Sequence, residues 1–497
     1  MKQEHRVLLA LAFAASLPAA TLPQRIEQLL SQSPAAVSAF WGIRIVDLPS
    51  GRTVYERNAG HFFVPASNAK LFTTALALTR LGPGFTFETR VTADQAPDAA
   101  GRIAGSLRLV GGGDPNLSAR AIPYAPGPIT GNPLAPLEEL ADQVAARGVK
   151  QIDGDIVGDD TWYVWQPYAV GWSVDDPVSD DGAPVSALTI GDNTFTMTVR
   201  PGIHAGDPAE LTLNPPVEYY RIENRVRTVA ADGDRRIRVE RVPGSLDLHI
   251  WGTIPVGNKG EDELLGIDDP ALFAAKAFRQ ILETRGIIVA GPAVAHHLYP
   301  DQFASLTEGP APPSGPAVEL ARHTSAPLLE DLRVTDKVSQ NLHAEMALRA
   351  VARARRNLGS FEAGREEMRA FLGEIGIEGG AYNLVDGSGL SRLDLVTPSA
   401  IVKLLAHMYR SPERQNWISL LPVGGLDGTL ASRFAGLPAA ARIHAKTGSL
   451  SHVSALSGYA ERPGGRWVAF SIMVNNYNGP AGEIRAVMDG ICALIME

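Results

Sequence analysis

Phe62-Phe63-Val64-Pro65-Ala66-Ser67-Asn68-Ala69-Lys70-Leu71-Phe72-Thr73-Thr74-Ala75-Leu76-Ala77-Leu78 is the stretch on which the fold turns. It starts as an extended apolar run, is interrupted by Pro65, and from Ser67 reads as a helix over 67–81 that ends at Gly82-Pro83-Gly84. Apolar side chains lie nearly all round that helix, which predicts a place in the centre of a domain. The spacing sets the Ser67 hydroxyl at the helix start and the Lys70 amine one turn later on the same face. A serine hydroxyl is a weak nucleophile until a base takes its proton, and a lysine is such a base only when neutral, which burial favours. The helix start also carries partial positive charge, which suits a developing oxyanion. Taken alone the motif is weak, since an N-cap serine followed by a surface lysine reads the same way.

Outward from this helix the two ends of the chain look alike and the middle differs. Before it come a polar helix over 24–32 and a hairpin formed by 40–48 and 53–57, turning at Pro49-Ser50-Gly51. From about Phe87 to Pro300, short strand-like runs alternate with Gly, Pro and Asp turns, for example 103–110, 152–157, 189–199 and 237–242, with helices at 136–146 and 270–284. A Pro-rich stretch at 309–316 reads as a linker or surface loop. Helical periodicity then returns at 328–338, 342–356, 361–375 and 398–409. The chain closes with strands at 443–445, 453–460 and 467–474, the last two joined by Pro463-Gly464-Gly465, and a helix from Glu483. Strands at both ends with helices between predict one α/β (α+β) domain, 21–86 plus 306–497, interrupted by a β-rich insertion over 87–305.

Two further stretches could carry chemistry. Ser339-Gln340-Asn341 falls on a loop between helical runs. A second hydroxyl there can relay a proton, and the Asn341 amide can accept from a lysine and donate to a substrate carbonyl; an N-cap pair opening the next helix is the plain alternative. Lys446-Thr447-Gly448, running into Ser449, reads as a strand whose edge can bind an extended peptide. Gly448 allows close backbone approach, while Thr447 and Lys446 offer a hydroxyl and a charge to a carboxylate.

The chain has 497 residues, 45% apolar and 20% charged, with 45 Lys+Arg against 54 Asp+Glu. The net charge of -9 leaves no basic footprint for nucleic acid and no polybasic stretch for anionic lipid. Residues 1–20 have the order of a secretory signal peptide: Lys2 and Arg6, an apolar stretch from Val7 to Leu17, then Pro18-Ala19-Ala20. That stretch is short for a membrane span, so export to the periplasm or wall space, with no stable span in the mature chain, is expected. The single cysteine, Cys492, allows no internal disulfide and sits in an apolar run, so it reads as a packed side chain. No zinc-like cluster, H-E-x-x-H or P-loop occurs; neither metal nor cofactor is expected.

The order Ser-Lys, Ser-Asn, Lys-Thr-Gly resembles that of β-lactamases and penicillin-binding proteins. The likeness extends to Val110-Gly111-Gly112-Gly113-Asp114-Pro115-Asn116-Leu117, Asp153-Gly154-Asp155-Ile156, Gly171-Trp172, Ala183-Pro184-Val185-Ser186-Ala187-Leu188, His323-Thr324-Ser325-Ala326-Pro327-Leu328, Asp386-Gly387-Ser388-Gly389-Leu390-Ser391-Arg392 and Leu421-Pro422-Val423-Gly424-Gly425. On these the chain resembles the class C penicillin-binding proteins, the D-alanyl-D-alanine carboxypeptidase/endopeptidase family S13. Gln340 departs from the aspartate more usual in the second motif.

The resemblance implies a serine-transpeptidase/β-lactamase-like domain carrying two inserted subdomains. It implies that Ser67 attacks the penultimate D-Ala of peptidoglycan stem peptides or a β-lactam, with Lys70 as base. Backbone N–H groups of Ser67 and Ser449 would hold the oxyanion, Ser339 would pass a proton to the departing amine with Asn341 as a further catalytic residue, and Lys446, Thr447 and Gly448 would bind the substrate's terminal carboxylate end. It further allows Arg392 and Asp159 to meet the carboxylate and ammonium of a diaminopimelate side chain; an internal salt bridge and a solvated turn are the plain alternatives. A β-lactamase, an esterase on the same scaffold and a non-catalytic wall-binding or β-lactam-sensing module remain open at this point.

Overall fold

In a computed structural model of the chain, residues 20–127, 129–310 and 317–497 are described. The expected signal peptide falls outside them except for Ala20, as does most of the Pro-rich stretch. Among the described residues no helix is long and apolar enough to cross a membrane.

The two ends of the chain meet in one five-stranded antiparallel sheet. Its order is Ile443–Leu450, Val453–Arg462, Arg466–Asn475, Phe40–Asp47, Thr53–Arg57. The period-2 pattern of the strand Arg466–Asn475 explains how it is covered on both faces. Val468, Phe470, Ile472 and Val474 join Ile26, Leu30, Ile484 and Met488 of the terminal helices Leu22–Gln32 and Ala481–Met496 in one core. Ala469 and Met473 face the other way, into a core shared with Leu71, Phe72 and Leu76 of the helix Lys70–Leu81 and Leu404 and Leu405 of the helix Pro398–Arg410. Cys492 is buried in the first core, where burial pushes its thiol pKa up, in keeping with a packed, unreactive side chain.

The middle of the chain forms its own sheets over a separate core. A five-stranded mixed sheet runs Ala293–Leu298, Ile156–Val164, Leu107–Val110, Glu88–Ala93, Val318–Thr324. Two three-stranded sheets follow, built on Thr194–Arg200 and on Asp247–Pro255. Val318–Thr324 pairs with Glu88–Ala93 although it lies beyond residue 305, the expected end of the insertion, so the chain leaves this sheet only after Thr324. The runs expected as single strands at 103–110 and 152–157 are each split: Arg102–Ile103 and Gln151–Ile152 belong to a small side sheet, while Leu107–Val110 and the strand from Ile156 continue in the large one.

Candidate active site

The helix start at Ser67 is tighter than its sequence pattern implies. Ala66–Ala69 is a 3-10 turn that passes into the α-helix at Lys70. Ala66 is left-handed, with φ 48. Such a conformation costs a residue with a side chain on the order of 1 kcal/mol or more and persists where neighbours over-determine it. They do so here. Asn68 Nδ2 donates to the Lys446 carbonyl at 3.1 Å. A Cβ on Gly448 would lie 2.7 Å from the Pro65 carbonyl and 3.1 Å from Ser67 N, and one on Gly389 would lie 1.9 Å from the Ala66 carbonyl. Glycine at these two positions lets the strand Ile443–Leu450 and the 386–392 loop press against the backbone of Ser67.

Lys70 is fully buried, and its Nζ has three oxygen neighbours. Ser67 Oγ is at 2.9 Å, Asn341 Oδ1 at 2.5 Å and the Ser388 carbonyl at 2.7 Å. Burial lowers the Lys70 pKa to about 8 against the opposing pull of Asp386, Asp336, Glu345 and Asp181. On the order of a tenth of the amine is therefore neutral near pH 7, in contact with the hydroxyl it would deprotonate. Glu345 fixes the third neighbour: its Oε1 accepts from Gly387 N at 2.7 Å and Ser388 N at 2.9 Å, and Arg349 Nη1 lies 3.1 Å from its other oxygen.

Ser339 lies, as expected, between the helices Leu328–Lys337 and Asn341–Arg356, and it too is left-handed, with φ 67. Gln340 caps the second helix by accepting from Leu342 N at 3.0 Å. Ser339 is not bonded to Lys70. Its Oγ accepts from Lys446 Nζ at 2.8 Å. Lys446 is itself fully buried, its pKa pushed well below the usual range by burial and then by Lys70, against the pull of Asp336.

Lys446, expected to meet a substrate carboxylate, has its amine against Ser339. The residues that line the cleft, a cavity of about 880 Å³, include Ser67, Ser339, Asn341, Thr429, Thr447, Gly448 and Ser449, and Lys446 is behind them. Strand alternation is the cause: Thr447 and Ser449 present toward the cleft, whereas Lys446 points inward from the same edge strand. Thr447 Oγ1 donates to Thr429 Oγ1 at 2.7 Å, so two hydroxyls stand together at the cleft wall.

Arg392 and Asp159 are not brought together. Arg392 is exposed and donates from Nη2 to the Ser451 carbonyl at 3.1 Å. Asp159 is buried in the inserted sheet, where it accepts from Thr161 N at 3.1 Å and lies 3.0 Å from His296 Nδ1. Neither lines the cleft. Asp176 accepts from Ser173 N at 2.7 Å; burial raises its pKa and Arg392 is among the charges that oppose this. Asp336, Glu345, Thr429 and Asp181 are the site residues that sequence reasoning missed. None belongs to a motif with its own spacing, and each reaches the site through the fold.

The family model described as the D-Ala-D-Ala carboxypeptidase 3 (S13) family matches residues 22–494. A D-alanyl-D-alanine carboxypeptidase from Actinomadura sp. is 35% identical over 500 residues, 98% of this chain and 87% of that one. The D-alanyl-D-alanine carboxypeptidase DacB of Haemophilus influenzae is 26% identical over 438 residues, 87% of this chain and 84% of that one. Among solved structures, penicillin binding protein 4 (dacB) from Haemophilus influenzae superposes with a TM-score of 0.79 at 24% identity, covering 95% of this chain and 98% of the other. The same protein complexed with a β-lactam gives 0.76 at 23% identity, covering 95% and 99%.

Proposed function

The chain belongs to the D-Ala-D-Ala carboxypeptidase 3 (S13) family, and from that premise we propose a serine acyl-transfer cycle with Ser67 as nucleophile and Lys70 as its base. The protein is a serine-type D-Ala-D-Ala carboxypeptidase. The observation that carries the residue assignment is the buried Lys70 amine held 2.9 Å from Ser67 Oγ.

Neutral Lys70 takes the Ser67 proton as Oγ attacks the carbonyl of the penultimate D-Ala. The Ser67 and Ser449 N–H groups receive the oxyanion, since Gly448 lets this strand lie against the Ser67 backbone. As the C–N bond breaks and D-Ala leaves, Ser339, its hydroxyl oriented by Lys446, hands its proton to the departing amine and regains one from the ammonium formed on Lys70, which is neutral again. Asn341 holds Lys70 in place. Water then attacks the acyl-serine and regenerates Ser67. The Thr447 and Thr429 hydroxyls face the substrate carboxylate, and Lys446 acts on the reaction through Ser339. Peptidoglycan stem peptides are the substrate class and β-lactams acylate the same serine, as the complex of the Haemophilus influenzae relative supports. The leader-like residues 1–20 support work in the periplasm or wall space.

Endopeptidase action on cross-linked peptides is a second reading. Beyond Ser339 and Asn341, which line both, the cleft continues into a further cavity of about 440 Å³ with room for a longer leaving peptide. Mass spectrometry after penicillin treatment tests the assignment: one adduct is expected on the peptide bearing Ser67, and none in Ser67→Ala. An adduct that survives this substitution would falsify it.

A further inference from the structure

Ser339 sits in a backbone conformation that only its surroundings can enforce, and much of that enforcement comes from the insertion. Asp192 belongs to the inserted segment and is fully buried in its own left-handed turn, with φ 59. Its carboxylate accepts from Gln340 Nε2 at 3.2 Å, lies 3.1 Å from His343 Nε2, and is paired with Arg120. Burial alone would raise the Asp192 pKa, but His343 and Arg120 outweigh it and hold the group well below the usual carboxylate range. His343 in turn lies 2.6 Å from Asp331 Oδ1 on the helix Leu328–Lys337, so the Asp192 anchor is fastened on both sides of the Ser339 loop. One residue further, Asn341 Nδ2 donates to the Asp181 carbonyl at 2.8 Å, again from the insertion, while Asn341 Oδ1 receives Lys70. The neighbours on the C-terminal side of Ser339 are thus each tied to inserted residues.

We infer that Asp192 is a positioning residue for the Ser339-Gln340-Asn341 loop, and that the insertion thereby forms part of the machinery of the carboxypeptidase. A carboxylate suits the task because it is charge-assisted toward His343 and Arg120 and still has a lone pair for the Gln340 amide. The inference rests on the acyl-transfer reading above, in which Ser339 passes a proton to the leaving amine. A hydroxyl displaced by even an ångström loses much of its effect on that step. Substrate binding along the edge strand Ile443–Leu450 does not pass through this anchor.

The test measures D-Ala release by the full chain in steady state, with thermal melting alongside. Asp192→Asn and Gln340→Leu should each lower kcat, by about ten- to a hundredfold for the first and severalfold for the second, with KM nearly unchanged. In a Ser339→Ala background either substitution should cost little more, because the group being positioned has gone. Gln340→Leu leaves Asp192, His343 and Arg120 paired, so it keeps the test sharp if Asp192→Asn does not fold. Wild-type kcat in a folded Gln340→Leu, or losses that remain fully additive with Ser339→Ala, would overturn the positioning role. A wild-type chain that neither releases D-Ala nor takes penicillin overturns the acyl-transfer reading and this inference with it.

Discussion

The helix Lys70–Leu81 and the strand Arg221–Val229 show how differently the two parts of this chain are built. Every residue from Lys70 to Leu78 is buried, two lysines' worth of charge chemistry being enclosed between this helix and the edge strand Ile443–Leu450. Arg221, Glu223, Arg225 and Arg227 in the inserted strand are all exposed, and only Val226 and Thr228 are buried. The helix is covered on all sides and its lysine is shifted by burial, while this strand has a single covered face and keeps its charges in water. The lesson is that the insertion supplies none of the groups proposed to react. Its contribution passes through a few buried points, Asp181 and Asp192 among them, where it touches the catalytic part.

The largest expected effect tests the buried side. Lys70→Ala should slow acylation by a chromogenic β-lactam by about a thousandfold or more, the scale of a lost general base. In the wild type, acylation should rise about tenfold per pH unit and level off near the Lys70 pKa of about 8, because the amine must be neutral to act. Stopped-flow rates between pH 5 and 10 check both. A flat profile would mean that burial does not set the reactivity of this amine.

Packing gives the next contrast. Phe72 is fully buried beside Leu71 and Leu76, whereas Trp251 is 40% exposed on the inserted sheet. Phe72→Ala should cost about 3–5 kcal/mol of stability through lost contacts and the cavity left behind. Trp251→Ala should cost under about 1 kcal/mol. Denaturant midpoints read at constant slope would separate the two, and similar costs would erase the distinction between the regions.

The joint between the regions should loosen with rising pH. The His343 pKa is raised to about 9: burial lowers it, and Asp331 and Asp192 more than compensate. Because the folded value lies above the unfolded one of about 6.5, the associated stability is full below that pH and is lost as pH rises through about 9. Its size is on the order of 3 kcal/mol. The groups facing His343 include Asp192, Asp331, Asp114 and Arg120 through Asp192. Hydrogen exchange should show protection of the helix Asn341–Arg356 falling between pH 7 and 10 in the wild type and little further change in His343→Gln.

Local patterns made the catalytic part legible. The all-round apolar helix after Ser67, the Ser339 loop and the Lys446-Thr447-Gly448 strand are all present, because periods of 3.6 and 2 are written in consecutive residues. What a motif residue does once folded was less legible. Lys446 lies on the inward side of its strand and donates to Ser339 Oγ, a consequence of register that the tripeptide does not announce. The left-handed turns at Ala66 and Ser339 carry no glycine to betray them. Asp192 and Asp181 reach the second motif across a long chain separation that no spacing encodes. The runs at 103–110 and 152–157 read as unbroken strands because the turns that split them keep apolar residues on both sides.

Arg392 offers the smallest effect and the finest test of how far the insertion reaches toward substrate. It is an exposed side chain tied to the Ser451 carbonyl by one hydrogen bond, in a loop whose Ser391 Oγ donates to Val170 O and whose Asp386 accepts from Trp172 Nε1, both inserted residues. Asp159, expected as its acidic partner, is held by Thr161 and His296, whereas Asp176, a half-buried acid of the inserted part, has Arg392 among the charges acting on it. A peptide whose side chain ends in a free ammonium and carboxylate would then meet Arg392 from the catalytic part and Asp176 from the insertion. Contacts made by an exposed arginine and a half-buried acid are screened by water and salt and contribute modestly. Arg392→Ala should therefore lower kcat/KM for such a peptide by about three- to tenfold, mostly through KM, and leave an acetyl-lysine peptide within about twofold of wild type. Asp176→Asn should act in the same direction on the same peptide, whereas Asp159→Asn should not. Equal losses on both peptides would assign Arg392 to holding the Ser451 turn, and an effect confined to Asp159→Asn would restore the inserted sheet as the acid's source.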